Sequence, residues 1–198
     1  PGSPHPTKLA SEADIRTDIV QYRMFKDGVL VDEPSNIVSY WRDDLVSFLL
    51  GCSDSFDWSL RAANIRVHLF GVYTTNIACV PAAPFAGPMV VTCRLAKDSY
   101  HAVRCVQVTS RHPLSHGAPV HIGDPSTIGI VDLQHPDVTF APYGVDPPYV
   151  ERGEIPIFHA CGVTPQTAAA GARLPIMITH KAGNMFMTDL LTEELAVF

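Results

Sequence analysis

Apolar and polar positions change their spacing several times along the chain, and each change marks an element. From Gln21 to Val31 they alternate around Asp27-Gly28. Asp-Gly suits a hairpin turn, because both of its positions need a left-handed backbone. From Ile37 to Leu50 the spacing becomes helical, through Ile37, Tyr40, Trp41, Leu45, Phe48 and Leu49. Gly51 is the expected stop of that helix. A second short helix is predicted over Phe56 to Ala63, with Ser53 or Ser55 as N-cap. Ile65, Val67 and Leu69 alternate as a strand, and Pro81, Pro84 and Pro88 punctuate a loop.

Further along, Met89 to Leu95 predicts a buried strand, and Lys97 to Ser110 a helix that ends before Pro113. Val120 to Ile122 is a short strand broken by Gly123-Asp124-Pro125. Pro136 to Gly153 is rich in loop residues and contains Pro147-Pro148. Ile155 to Ala160 is apolar and strand-like. Thr164-Pro165 then opens a helix, with Thr at the N-cap and Pro at the first helical position. Ile176 to Thr179 is a strand, Asn184 to Leu195 a last helix, and Pro1 to Ala10 an extended lead-in. Strands alternate with helices, which predicts a mixed α/β architecture.

A length of 198 residues allows one domain or two small lobes. No apolar run approaches the ~20 residues of a membrane span. No charged stretch followed by an apolar one opens the chain. Lys and Arg number 14 against 20 Asp and Glu, for a formal charge of −6, so the basic face of a nucleic-acid binder is missing. The five cysteines are odd in number and form no CxxC pair. That fits free thiols in a reducing, cytoplasmic compartment. Nine histidines among few charged residues raise the prospect of chemistry near neutral pH.

Several segments carry candidate chemistry. His121 and Asp124 stand at the end of a predicted strand, where a histidine can act as base and an aspartate can orient it or bind a metal. The alternative is that Asp124 only caps a turn and His121 fills a gap. Cys161 sits before the helix of Thr164, where the helix dipole would lower its pKa and free N–H groups would hold an oxyanion. An inert buried thiol is the other reading. Glu154 is a candidate acid or a solvated loop residue. His180 again follows a strand. Arg94 ends a strand as the best cation for clamping a carboxylate, or forms a surface salt bridge. Ser53 lies at a helix start, and Asn76 is a ligand contact or a turn residue. His121, Asp124, Cys161 and His180 could in principle ligate a divalent metal, although no HxH, HExxH or CxxC spacing supports it.

An ordered set of these segments resembles the putative hydro-lyase, or D-glutamate cyclase, family. The set comprises Asp14-Ile15-Arg16-Thr17-Asp18, Trp41-Arg42-Asp43-Asp44, Gly51-Cys52-Ser53, Thr75-Asn76, Gly117 through Pro125, Gly153-Glu154-Ile155-Pro156, Ala160 through Gln166, and Ile178-Thr179-His180 through Thr188-Asp189. The resemblance implies a two-lobed α/β fold peculiar to the family. On this chain that gives one unit over 1–198, with 65–112 inserted as a smaller lobe into a main lobe of 1–64 and 113–198. It further implies a segment ahead of Pro1. The chain departs from the family where His159 replaces a usual Trp, Asp54 a usual Phe, and Lys181-Ala182 and Asn184 a usual Ala-Pro and His. Cys93 and Leu95 flank Arg94 in place of Met and Pro.

The implied activity is loss of water from D-glutamate to give 5-oxo-D-proline, or a related hydro-lyase reaction; no cofactor is predicted, and a divalent metal is compatible. In that reaction Arg94 would hold the α-carboxylate. His121, oriented by Asp124, would take the ammonium proton, and Glu154 or His180 would protonate the departing oxygen. Donors near Cys161 to Thr164 would stabilise the oxyanion, with Ser53, Asn76 and Thr164 contacting substrate. The expected partner is a small carboxylic or amino acid, without nucleic acid or membrane, and a homo-oligomer is compatible. The alternatives are a non-catalytic carboxylate-binding protein and a metal-dependent hydrolase built on His121, Asp124 and His180.

Overall fold

The computed structural model describes residues 1–139 and 153–197. Contacts divide the chain into two units. Unit 1 is Pro1–Leu49, Pro81–Ala86 and Pro165–Leu191; unit 2 is Leu50–Val80, Gly87–Thr164 and Thr192–Phe198. The borders expected at 64/65 and 112/113 both fall inside unit 2. Strand pairing explains this, because the strands of 65–112 are bonded to the strand at 155–160.

Unit 1 holds an antiparallel three-stranded sheet in the order β2-β1-β8. The hairpin around Asp27-Gly28 forms as expected from β1 (Tyr22–Lys26) and β2 (Val29–Asp32). Asp27 and Gly28 both take positive φ, 50° and 81°, which is what a type I′ turn requires. β8 (Met177–His180) pairs with β1, placing His180 opposite Tyr22. The helix predicted over 37–50 is absent; only Val38–Tyr40 makes a 3₁₀ turn. The helix predicted over 184–195 likewise reduces to a 3₁₀ turn at Thr192–Leu195.

Unit 2 is built on an antiparallel sheet in the order β5-β7-β4-β3-β6. Its strands are β3 (Val67–Ala78), β4 (Pro88–Ala96), β5 (His121–Ile122), β6 (Val138–Thr139) and β7 (Ile155–Ala160). The helices are α1 (Asp54–Ala62) and α2 (Ser99–Thr109), and α3 (Val163–Gly171) begins just after β7. The loop expected from Pro136 to Gly153, with its Pro147-Pro148, lies mostly outside the described residues.

Side chains of a strand point alternately to its two faces, and here each face has its own core. Phe70, Tyr73, Val91, Cys93, Leu95 and Phe158 pack on one face with Ile128 and Ile130. Ala96 and Ile157 pack on the other with Phe56 and Leu60 of α1 and Ala102 and Cys105 of α2. That helix-covered face also receives the polar members of the same rows, Thr92 and Arg94 of β4 and His159 of β7. Among the described residues no helix is long and apolar enough to cross a membrane.

Candidate active site

Arg94 is the largest fully buried side chain on the helix-covered face. Its guanidinium meets the Asp57 carboxylate side-on, with Nε donating to Oδ1 at 2.9 Å and Nη2 to Oδ2 at 3.0 Å. Nη1 donates to the Thr92 hydroxyl at 3.1 Å, and Nη2 also donates to the Ser53 hydroxyl at 3.2 Å. The plane stands 4.7 Å over the Phe56 ring. A buried cation needs such a complete partner set, because desolvation otherwise exceeds the Coulombic gain. Arg94 therefore corrects both of its sequence readings. It is no surface salt bridge, and its fork is already taken by Asp57 rather than open to a substrate carboxylate.

Ser53 precedes α1 as expected, but its hydroxyl makes no capping bond and accepts from Arg94 instead. Asp54 follows in the first turn of α1 as an exposed residue, its carboxyl pKa raised by partial desolvation and then by the like charge of Asp57. Gly51 fixes the chain just before this turn. A Cβ there would stand 1.7 Å from the Leu114 carbonyl oxygen, so only glycine lets the segment lie against Leu114–Ser115.

β7 adds His159 and, beyond its end, Cys161. His159 is fully buried, with its ring 5.0 Å from Phe56. The Thr109 hydroxyl donates to the Cys105 carbonyl, so it accepts from His159 Nε2–H at 3.3 Å. That tautomer leaves a lone pair on Nδ1, which is buried with no partner among the described residues. Burial, with Arg94 and then His116 beside it, pushes the pKa of His159 down to about 3. The Cys161 thiol is pushed up, mainly by burial, so the expected activation by the helix dipole does not prevail. Cys52 behaves alike, raised to about 11.

His116 completes the group. It follows the 3₁₀ turn Pro113–Ser115 in a left-handed conformation, φ 74°. Its Nε2 is buried, has no partner among the described residues, and lies 3.9 Å from where a Cβ of Gly162 would sit. Burial and the Arg94 charge lower its pKa. Sequence reasoning singled out neither His116 nor His159 as a site residue. The available signals were a histidine in place of a tryptophan in an otherwise apolar strand, and a His-Gly pair directly after a turn.

The other expected residues lie elsewhere. His121 pairs with Phe158 and stacks on its ring at 5.7 Å, so it belongs to the opposite face of the sheet from Arg94 and His159. Its Nε2 donates to the backbone carbonyl of Asp124 at 2.8 Å and meets the Thr127 hydroxyl at 3.0 Å. The Asp124 carboxylate does not orient it. Instead it accepts from Ser126 N–H at 2.9 Å and caps the turn Pro125–Ile128. Glu154 lies 3.7 Å from His68 Nδ1.

Asn76 is exposed, and Gly129 packs against its Cβ. The α3 helix begins at Val163, ahead of the expected N-cap. The Thr164 hydroxyl accepts from Val90 N–H at 2.9 Å and donates to Val90 C=O at 3.0 Å, which ties the helix start to β4. His180 stands in β8 of unit 1, its pKa lowered by burial. The candidates thus separate: Ser53, Arg94 and Cys161 share the helix-covered face of unit 2, and His121 occupies the opposite one. Among the described residues no three His, Cys, Asp or Glu side chains are grouped to hold a metal ion.

The family model for D-glutamate cyclase matches residues 46–189. A putative hydro-lyase of Bradyrhizobium sp. (strain ORS 278) is 50% identical over 203 residues, covering 100% of this chain and 72% of that protein. One from Bradyrhizobium diazoefficiens is 51% identical over 205 residues, covering 99% and 72%. One from Bordetella pertussis is 50% identical over 204 residues, covering 100% and 71%.

Proposed function

The chain belongs to the D-glutamate cyclase family, and from that membership we propose that it is a hydro-lyase that closes D-glutamate to 5-oxo-D-proline, or dehydrates a closely related small carboxylic acid. The observation that carries this reading is the desolvated polar group on the helix-covered face of unit 2. Ring closure of glutamate forms an N–C bond and expels one carboxyl oxygen as water. It needs a hydrogen-bond acceptor for the ammonium, an acid near the departing oxygen, and a site that keeps bulk water out. His159 Nδ1 supplies an acceptor that stays neutral at physiological pH. Asp54, exposed at the start of α1 with its pKa raised, is a nearby carboxyl able to donate a hydrogen bond to the carboxyl under attack.

Arg94 acts as a positioning residue in this account. It locks Asp57 and Ser53 of the α1 start against Thr92 of β4 and lends positive potential to the site. The free cysteines support a reducing, cytoplasmic setting. Incubation of purified protein with each glutamate enantiomer, followed by proton NMR, tests the reading. Accumulation of 5-oxoproline from the D enantiomer is expected. Binding of 5-oxoproline with no conversion of either enantiomer would instead favour a non-catalytic carboxylate-binding protein.

A further inference from the structure

We propose that His116 is the proton-transfer residue of this site, its Nε2 taking a proton from the substrate ammonium and returning it to the departing oxygen. The proposal rests on the cyclase reading above and adds a residue that neither the sequence nor the family comparison singles out. Three independent observations carry it.

The first is the backbone. His116 holds φ 74° although it is not glycine, and Gly117 follows at φ 66°. A non-glycine residue in the left-handed region costs free energy and persists where the surroundings enforce it. Gly51 packs against Leu114–Ser115 immediately ahead of His116.

The second is the ring. Nε2 is buried and unpartnered among the described residues. A desolvated polar atom without a partner costs free energy, which a hydrogen bond to the substrate nitrogen would offset. The third is the company it keeps. Nε2 faces the Cys161-Gly162 turn, and His116 stands near Arg94 and His159. Burial first, and then the Arg94 charge, lower its pKa and keep the imidazole neutral.

The step balances without any co-reactant. His116 Nε2 removes one ammonium proton, and the freed nitrogen pair forms the N–C bond while the carbonyl π pair moves to oxygen. The nitrogen then gives up a second proton to one oxygen of the tetrahedral intermediate. That oxygen receives the proton held on Nε2 and leaves as water, as the remaining oxygen re-forms the carbonyl.

His116→Asn tests the assignment, because Asn tolerates the left-handed backbone but cannot act as a base. The expected result is a loss in kcat of ~100-fold or more, with 5-oxo-D-proline binding retained. His116→Gly with added imidazole is the companion, and recovery of turnover by free imidazole is expected. A His116→Asn variant that keeps kcat within about tenfold overturns the assignment while leaving the cyclase reading intact. If the wild type converts neither enantiomer, the cyclase reading falls. The ring-nitrogen NMR signal of His116 then decides: no shift on adding 5-oxo-D-proline overturns the role at this site as well.

Discussion

His159 shows how one residue couples stability to pH. It is neutral in the folded chain because burial outweighs the gain from protonation, and its pKa falls from 6.5 to about 3. Once unfolded it takes up a proton below pH 6.5, so the unfolded state binds more protons between these two values. Stability is therefore fully present above pH 6.5 and falls as pH drops towards 3. His112, His116 and His180, also depressed by burial, act with the same sign. Each proton contributes a slope of up to ~1.4 kcal/mol per pH unit. His159→Trp puts back the residue usual in the family. The indole N–H can replace the donor to Thr109, and the orphaned lone pair disappears. Urea unfolding between pH 5 and 7, on the order of the histidine range, should give a shallower pH slope for this variant. An unchanged slope would mean that His159 is not the buried neutral group described here.

Among single residues the sequence made Arg94 visible as a charged candidate at a strand end. It could not show that Asp57, a helix away, would neutralise it, because that pairing exists only after α1 docks on β4. Cys161 misled for a related reason. Its position before a helix was legible, but the burial that outweighs the dipole was not.

At the scale of elements, turns with a local cause were the most readable. Asp27-Gly28 specifies its hairpin by φ alone, and β7 forms over the very residues expected, Ile155 to Ala160. The helix predicted from Ile37 to Leu50 failed on packing. Phe48 and Leu49 of its apolar stripe remain exposed, 78% and 41%, and helix stability comes mainly from burying such a stripe. The helix predicted at 184–195 fails in the same way, with Met187 and Leu191 exposed. Gly51 was read as a helix stop, whereas its real constraint is close approach to Leu114. Gly51→Ala forces backbone apart, since the clashing atom belongs to a carbonyl and not to a flexible side chain. A loss of ~1–3 kcal/mol in unfolding free energy is expected, as for overpacking elsewhere. Wild-type stability in Gly51→Ala would show that the two segments are not clamped as described.

At the scale of the whole molecule, the alternation of strands and helices was enough to predict the α/β class. It was not enough to predict which strands pair. The antiparallel order β5-β7-β4-β3-β6 brings together strands far apart in sequence, and this moved the unit borders away from those expected. The same pairing decides the site. Register in β7 sends Phe158 and its partner His121 to one face, and His159 with Arg94 and Thr92 to the other. A strand-end histidine looked equally suitable for either face until the period of two was anchored to a partner.

The central claim is that substrate is handled on the helix-covered face. The most direct measurement is an amide chemical-shift map of the wild-type protein titrated with 5-oxo-D-proline. The account predicts shifts at Cys52–Asp57, Thr92–Arg94, Ser115–Gly117 and His159–Thr164. Shifts confined instead to His121–Thr127 and Glu154 would contradict it and return the chemistry to the opposite face.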